Sequence, residues 1–231
     1  MKELSFIVFL LSTTASAQIL DLRVRDIRRI GSEEGKTVTN YLKTPGRIIY
    51  ISSSYTDSIF FELVNKYRTT TDFKLNELGH SRRLDSLSHI FIRKLAAYSD
   101  LRHYSAMPEM KDVCDLLNVE NIAYRFSSNS INRGSNIFIN PNTDELKEYL
   151  QGWIDSPAHN RNMLEDLTSG SAKILLKVSN KDDGYSVETY VVLEIDNSYS
   201  KRELNQAYKR KNWELHHSLE KRWKRLRKAS N

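Results

Sequence analysis

Two histidines and one glutamate are the side chains of this sequence best suited to chemistry. His103 follows an arginine, Glu120 opens a Glu-Asn-Ile-Ala run, and His159 comes just after a Ser-Pro turn. Two neutral imidazoles and one carboxylate suffice to bind a divalent transition ion and leave one position open for water. The same groups could transfer protons, because a carboxylate raises the pKa of a neighbouring histidine and fixes its tautomer. The sequence therefore predicts one polar site assembled from three distant segments.

Three interpretations of this trio remain open. His103, Glu120 and His159 could hold Zn²⁺ or another divalent cation, they could be catalytic, or they could form a structural hydrogen-bond cluster. In the third case Glu120 would bridge backbone amides and a histidine. The sequence has no H-E-x-x-H helix, no G-x-S-x-G elbow and no glycine-rich phosphate loop, which are the motifs that would favour catalysis. Whether the protein is an enzyme therefore stays open, and we favour a protein that is not one.

The other histidines and the single cysteine are weaker candidates. His80 and His89 are expected to be surface or rim residues, and His216-His217 could bind metal only fortuitously. Cys114 lies in an apolar run without a cationic neighbour, so we expect a buried structural thiol rather than a nucleophile. Because it is the only cysteine, the chain can form no intramolecular disulfide.

Three helices should position these side chains. Asp57 can cap the first, the second should run from Leu84 to Leu101, and the third from Thr143 through Trp153, ending before Pro157. The apolar positions at helical spacing in the first helix are Ile59, Phe60, Leu63, Val64 and Tyr67. Those of the second are Leu87, Ile90, Phe91, Leu95 and Tyr98, and those of the third are Leu146, Tyr149, Leu150 and Trp153.

A change from helical to alternating periodicity after Gly170 predicts a β-hairpin with one buried face. The alternating residues are Ile174, Leu176 and Val178, then Val187, Thr189, Val191, Leu193 and Ile195, with Asp-Asp-Gly turn chemistry between them. Residues 48–51 could form one more strand, and residues 127–141, rich in Ser and Asn, should be a loop. Helices followed by an antiparallel hairpin predict an α+β domain over residues 57–196, preceded by a lead-in segment, 18–56.

The first 17 residues have the pattern of a cleavable secretory signal. An apolar run from Leu4 to Leu11 precedes small residues that end in Ala-Ser-Ala at position 17. A run of this length is too short for a bilayer, which takes about 20 residues. We therefore expect a protein secreted into the periplasm or the extracellular space without a membrane anchor.

The C-terminal segment, 197–231, is predicted to be a basic amphipathic helix. Residues 200–228 carry eleven Lys or Arg and three Glu, a net charge of +8 against +6 for the whole chain. One line of the helix is apolar and consists of Leu204, Tyr208, Leu215, Leu219 and Leu226, with Trp223 beside it. This helix could dock on the preceding domain, pair with a partner helix, or bind an anionic membrane surface or polymer. Nucleic acid, which the charge alone would permit, is the least favoured partner for an exported chain.

Several of these segments, in this order, resemble the CAP superfamily: the cysteine-rich secretory, antigen 5 and pathogenesis-related proteins with an SCP-like domain. The resemblance covers about 140 residues and is closest to the disulfide-poor bacterial branch. The matching segments are Leu63 to Arg68, Arg83 to Leu87, His103, Glu120 to Ala123, Trp153 to His159, and Tyr190 to Leu193. Val119 stands where the family usually has glycine, and Ser156 where many members have a second glutamate.

The resemblance implies a CAP-like α/β/α sandwich with a C-terminal antiparallel hairpin, here with an added basic helix, and a cleft that contains His103, Glu120 and His159. It favours a non-enzymatic binding module for a peptide, a lipid or an envelope polymer, with a cleft that could hold a divalent metal. One alternative is a metal-assisted hydrolase of envelope or extracellular material. Another is a surface-adhesive protein that acts through its basic tail.

Overall fold

A computed structural model of the chain describes residues 18–29, 32–44, 46–73, 75–99, 101–103, 119–130, 145–181 and 184–196. The predicted signal segment, Cys114, the cap Thr143 and the basic extension lie outside these residues. Among the described residues, no helix has both the length and the apolar character needed to cross a bilayer.

A six-stranded mixed sheet is the centre of the fold. Its strands are β1 (Gln18–Arg23), β2 (Arg47–Ser52), β3 (Gly79–His80), β4 (Val119–Ser130), β5 (Ser169–Lys181) and β6 (Gly184–Asp196). They lie in the order β1-β2-β5-β6-β4, with the short β3 paired to one end of β5. The β1–β2 and β3–β5 pairs are parallel and the other pairs antiparallel. The strand predicted at residues 48–51 is therefore confirmed, and the lead-in segment supplies two strands of the same sheet.

Helices cover both faces of this sheet, so the architecture is α+β with three layers. The helices are α1 (Ser32–Leu42), α2 (Ser54–Thr70), α3 (Arg82–Tyr98), α4 (Glu145–Asp155) and α5 (Pro157–Met163), with a 3₁₀ turn at Ile27–Arg29. One core cluster joins the sheet to α1, α2, α4 and α5, and the other joins it to α3. We call these the α2 face and the α3 face.

The predicted hairpin of β5 and β6 is present, but the expectation of a single buried face is wrong. Ile174 and Leu176 belong to the core on the α2 face, whereas Leu175 between them belongs to the core on the α3 face. Every described residue from Tyr185 to Asp196 is buried. A hairpin at the middle of a three-layer fold loses the solvated face that a sheet edge or a two-layer fold would leave it.

Asp57 does not cap α2. The helix begins at Ser54, and the cap is Ser53, whose hydroxyl accepts a hydrogen bond from the amide of Thr56 at 3.2 Å. Asp57, one turn into the helix, instead accepts the amide of Ile174 at 2.9 Å. Neither β2 nor β3 is paired to β5 at residue 174. Asp57 therefore satisfies a backbone donor where the sheet has a gap, a long-range role that no capping rule anticipates.

The helix α3 buries a narrower arc than its spacing predicted. Leu87, Phe91 and Leu95 are buried, but Ile90 and Tyr98 are exposed, so their assignment to the buried face is wrong. Ile90 follows Leu87 by three positions but lies about 100° from Phe91 on the helix surface. The arc is completed by Leu84, Ile92 and Ala96, which face the sheet.

The predicted break before Pro157 is confirmed, because α4 ends at Asp155 and α5 begins at Pro157. The loop predicted over residues 127–141 is wrong in its first part. Ser127 to Ser130 continue β4 and pair with β6 as far as Gly184. The ladder to a long, well-placed neighbour outweighs the low strand propensity of Ser and Asn. The remainder of that predicted loop lies outside the described residues.

Candidate functional site

His103 and Glu120 form a direct pair at the start of β4. The Nδ1 atom of His103 lies 2.7 Å from Oε1 of Glu120, within the hydrogen-bond reach expected from the sequence. The carboxylate is largely buried, whereas 63% of the histidine side chain is exposed. The pair therefore presents an accessible imidazole that is anchored by a buried acid.

The two partners shift each other's protonation. The hydrogen bond from His103 to the Glu120 carboxylate raises the pKa of the imidazole, against the lowering effect of its burial. Burial raises the pKa of Glu120, against the opposing hydrogen bond and charge of His103. A protonated imidazole paired with a carboxylate is the form in which both groups satisfy one another.

The position of Glu120 follows from strand register. Glu120 is opposite Glu194 in the β4–β6 pair, and side chains at opposed positions project to the same face of the sheet. Since Tyr190 and Val192 of β6 pack against α3, Glu120 also projects to the α3 face. His103, five residues beyond the end of α3, reaches it from the same side.

His159 belongs to the opposite layer. It lies in the first turn of α5, and its Nδ1 atom is 2.8 Å from the hydroxyl of Ser156, the residue at the helix N-cap. Its ring stacks on that of Trp153, with centroids 6.5 Å apart and planes inclined at 24°. Trp153 belongs to the core on the α2 face. The helix break at Ser156 thus turns the chain so that the histidine lies over the tryptophan.

Two asparagines join α5 to β4. The side-chain amide of Asn121 donates to the carbonyl oxygen of His159 at 2.9 Å. That of Asn162 donates to the carbonyl of Glu120 at 3.1 Å and to the side chain of Asn121 at 3.0 Å. The indole of Trp153 adds a bond to the carbonyl of Ile122 at 3.2 Å. The helix that carries His159 is therefore bonded to the strand that carries Glu120.

The two histidines thus come to the same end of β4 from opposite faces of the sheet. They are near enough that the charge of His103 contributes to lowering the pKa of His159, although burial is the larger cause. Glu120 makes its short contact with His103, and His159 makes its own with Ser156. The site therefore consists of the His103–Glu120 pair with His159 beside it. The helix of His159 is joined to the strand of Glu120 through hydrogen bonds between asparagine side chains and backbone carbonyls.

This arrangement does not fit a three-ligand metal centre. Among the residues that the structure describes, no group of three or more His, Cys, Asp or Glu is placed to hold a metal ion. His103, Glu120 and His159 all lie within the described ranges. A closed or open zinc site would need its ligand atoms about 2.0–2.2 Å from one common point.

The two weaker histidine candidates lie elsewhere. His80 is exposed and 3.3 Å from Asp85, which also pairs with Lys173 at 2.7 Å. Lys173 contacts Asp57 as well, at 3.1 Å, so this cluster anchors the first turns of α2 and α3 to the sheet. His89 is half-buried, and burial together with neighbouring cations lowers its pKa. We interpret the cluster around Lys173 as structural, because its charges compensate one another.

Sequence reasoning missed the residues that hold the site together. Asn121 was part of the glutamate motif and Ser156 part of the turn, but neither had been assigned a contact. Arg68 was named only as the end of a segment that resembles the CAP superfamily, and Asn162 was assigned no contact either. A usable signal was the density of polar residues around His159, since amide side chains in a partly buried segment need partners.

Comparisons with known proteins give little to compare with this site. No protein-family model matches the chain, and no curated protein matches it either. Among solved structures, an outer surface protein of Borrelia burgdorferi is similar at a TM-score of 0.39 and 17% sequence identity. That match covers 61% of this chain and 92% of the other.

Proposed function

We propose that this chain is an exported CAP-like (SCP-like) protein, and that it is a non-enzymatic binding module of the envelope or the extracellular space. The observation that carries the proposal is the His103–Glu120 pair, an exposed imidazole held at 2.7 Å by a largely buried carboxylate. A polar group that is held in place and accessible at the edge of a sheet is suited to recognising a ligand. The order of the segments that resemble the CAP superfamily supports the family, and the signal-like N-terminus supports export.

The chemistry of the pair favours binding over hydrolysis. One oxygen of its carboxylate, Oε1, pairs with His103. Burial lowers the pKa of His159 and so favours the neutral ring, which can both donate and accept a hydrogen bond. Nothing among the described residues gathers the trio around a metal ion, which the hydrolase alternative would require. A ligand would meet two imidazoles of different character: Glu120 favours the cationic form of His103, and burial favours the neutral form of His159. This combination suits a polar group that both accepts and donates hydrogen bonds.

The ligand would be a peptide, a lipid headgroup or an envelope polymer, and a direct test uses one probe of each class. We would record backbone and imidazole NMR spectra of the chain from residue 18 with a mixed short peptide library, phosphatidylglycerol micelles and soluble peptidoglycan fragments. The expected result is that one probe shifts the signals of His103, Glu120 and His159. Its affinity should fall at least about tenfold in Glu120→Gln, as for loss of a charge-assisted bond.

Two outcomes would contradict this proposal. If a probe is cleaved when Zn²⁺ is present and the wild-type chain turns over while Glu120→Gln does not, the protein is a metal-assisted hydrolase. If binding survives Glu120→Gln unchanged but disappears when residues 198–231 are removed, the protein acts through its basic tail. Asp155→Asn, on the exposed side of α4, is the matched control and should bind as the wild type does.

A further inference from the structure

A buried arginine of α2 is hydrogen-bonded to the C-terminal end of α5. Arg68 is fully buried near the end of α2. One of its terminal nitrogens donates to the carbonyl oxygens of Met163 and Glu165, the latter at 2.9 Å. The other donates to the carbonyls of Leu167, at 3.2 Å, and Asn76, at 3.4 Å. Three of these four acceptors belong to the last residue of α5 and to the connection that follows it.

Burying a guanidinium costs free energy, so the contacts that Arg68 makes must compensate for that cost. Burial lowers the pKa of Arg68, and the charge of Asp166 only partly opposes that effect. The hydrogen bonds it makes go to backbone carbonyls, which helix ends leave without partners in the helix. The planar fork of an arginine can serve several such carbonyls at once, whereas the ammonium of a lysine is a compact point charge. Arg68 thus fixes the direction in which α5 ends.

A second contact from the preceding residue holds the middle of α5. The hydroxyl of Tyr67 donates to the side-chain oxygen of Asn160 at 2.8 Å. Asn160 directly follows His159 in the chain. On its other side α5 is tied to β4 by Asn121 and Asn162. The short helix is therefore clamped between α2 and β4.

Among the described residues, the His159 side chain makes no hydrogen bond to Glu120 or to another group of the α3 face. Its contacts are with Ser156 and Trp153. Its place beside the His103–Glu120 pair is thus decided by where α5 lies. We propose that Tyr67 and Arg68 are positioning residues of the candidate site, which hold His159 at the sheet edge through α5. The relevance of this role to ligand binding rests on the proposed function, but the positioning itself does not.

Two variants test this role, and both measurements are made without a ligand. Tyr67→Phe removes one hydroxyl, and Arg68→Lys keeps the charge but loses the fork. The readouts are the nuclear Overhauser effect between the Trp153 and His159 rings and hydrogen exchange of the Asn160 and Leu164 amides. Thr69→Val is the control, because the Thr69 hydroxyl, within the described part of the chain, bonds only to carbonyls of its own helix.

We expect Tyr67→Phe to speed amide exchange in α5 about fivefold, as for loss of one ordinary hydrogen bond. The ring-to-ring signal should weaken, while exchange in β5 and β6 should match that of the wild type. Arg68→Lys should have the same effect to a larger extent. If Arg68→Lys fails to fold, Tyr67→Phe alone decides the question.

The proposal is overturned if Tyr67→Phe leaves both the ring-to-ring signal and the α5 exchange as they are in the wild type or in Thr69→Val. It is also overturned if exchange rises equally in α5 and in the hairpin, since that result would indicate a general loss of stability. Absence of any ligand for the chain would change neither measurement, so failure of the proposed function can be told apart from failure of this inference.

Discussion

Glu120 and Glu194 lie directly opposite one another in strands β4 and β6, with both side chains on the α3 face. Their surroundings differ. Glu120 is near the surface and contacts His103. Glu194 is completely buried, and neither of its carboxyl oxygens makes a hydrogen bond of normal geometry with the described residues. Two glutamates at opposed positions of the sheet thus differ in environment. Glu120 belongs to an accessible pair with His103, and Glu194 is a neutral acid in the core.

Replacing Glu194 by glutamine should remove a pH-dependent loss of stability. Burial raises the pKa of Glu194 to about 8, with Asp196 adding to the effect and Ser88 and Arg83 opposing it. A carboxyl whose pKa is higher in the folded state holds its proton more tightly there. Its contribution to stability is therefore complete below the unfolded-state value and falls as the pH rises towards the folded-state value, at about 1.4 kcal/mol per pH unit.

Urea unfolding of the wild type and Glu194→Gln at about pH 5 and about pH 8 measures this effect. The variant should gain on the order of 3 kcal/mol relative to the wild type between the two conditions. Parallel changes in both proteins would mean that Glu194 is not the group that titrates. Glu62→Gln, which removes an exposed carboxyl of α2, is the charge-matched control.

Glu120→Gln should lower the pKa of His103. The hydrogen bond to the Glu120 carboxylate is the main cause of the raised value, and burial acts in the opposite direction. Glutamine keeps the shape but removes the charge, so burial should then dominate. An NMR titration of the imidazole signals measures the change. The pKa of His89, which Glu120 does not affect, should stay constant. An unchanged pKa of His103 would refute the pairing.

Trp153→Ala should cost about 3–5 kcal/mol of unfolding free energy, as large core truncations do. The indole is 2% exposed, and its ring meets Phe60 edge to face with centroids 5.4 Å apart. The truncation should also free the ring of His159, which stacks on it. Chemical denaturation gives the free energy. A cost below about 1 kcal/mol would show that the site tolerates an empty space there.

Two glycines offer a matched pair. A side chain at Gly170 would meet the carbonyl oxygen of Glu194 and the ring of Phe61, both at 3.0 Å, whereas a side chain at Gly152 meets nothing within 4 Å. Gly170→Ala should therefore destabilise the protein by about 1–3 kcal/mol. Gly152→Ala, inside the exposed side of α4, should stabilise it by up to about 1 kcal/mol. Thermal midpoints of the two variants should move in opposite directions, and a shift in the same direction contradicts the packing at Gly170.

Removal of residues 198–231 should abolish binding to anionic vesicles, if the tail binds such surfaces. Sedimentation of the whole chain with phosphatidylglycerol vesicles should weaken steeply as salt is added, because exposed charges are screened. The apolar line with Trp223 should leave a smaller part that resists salt. Phosphatidylcholine vesicles are the neutral control. If the shortened chain precipitates or unfolds instead, the apolar line had been covering the domain itself.

Local signals in the sequence determined much of the secondary structure. The end of α4 and the start of α5 follow from Pro157, whose ring disfavours helical geometry in the residue before it. The strands of the hairpin follow from alternation around Ile174 and Val191. These features depend on neighbours a few residues away, so a single chain is enough to predict them. The contact of Glu120 with a histidine belonged to one of the three interpretations of the trio that the sequence left open.

Only the tertiary structure decided which face each residue occupies and which partners it meets. Burial of both faces of β6 depends on α3 lying across one side and α2 on the other, and the complete burial of Glu194 is a consequence. The separation of His159 from Glu120 depends on strand register and on the clamp at α5. Asp57 filling the gap opposite Ile174 joins residues 117 positions apart. Such relationships are set by pairing between distant segments, and no periodicity within one segment contains them.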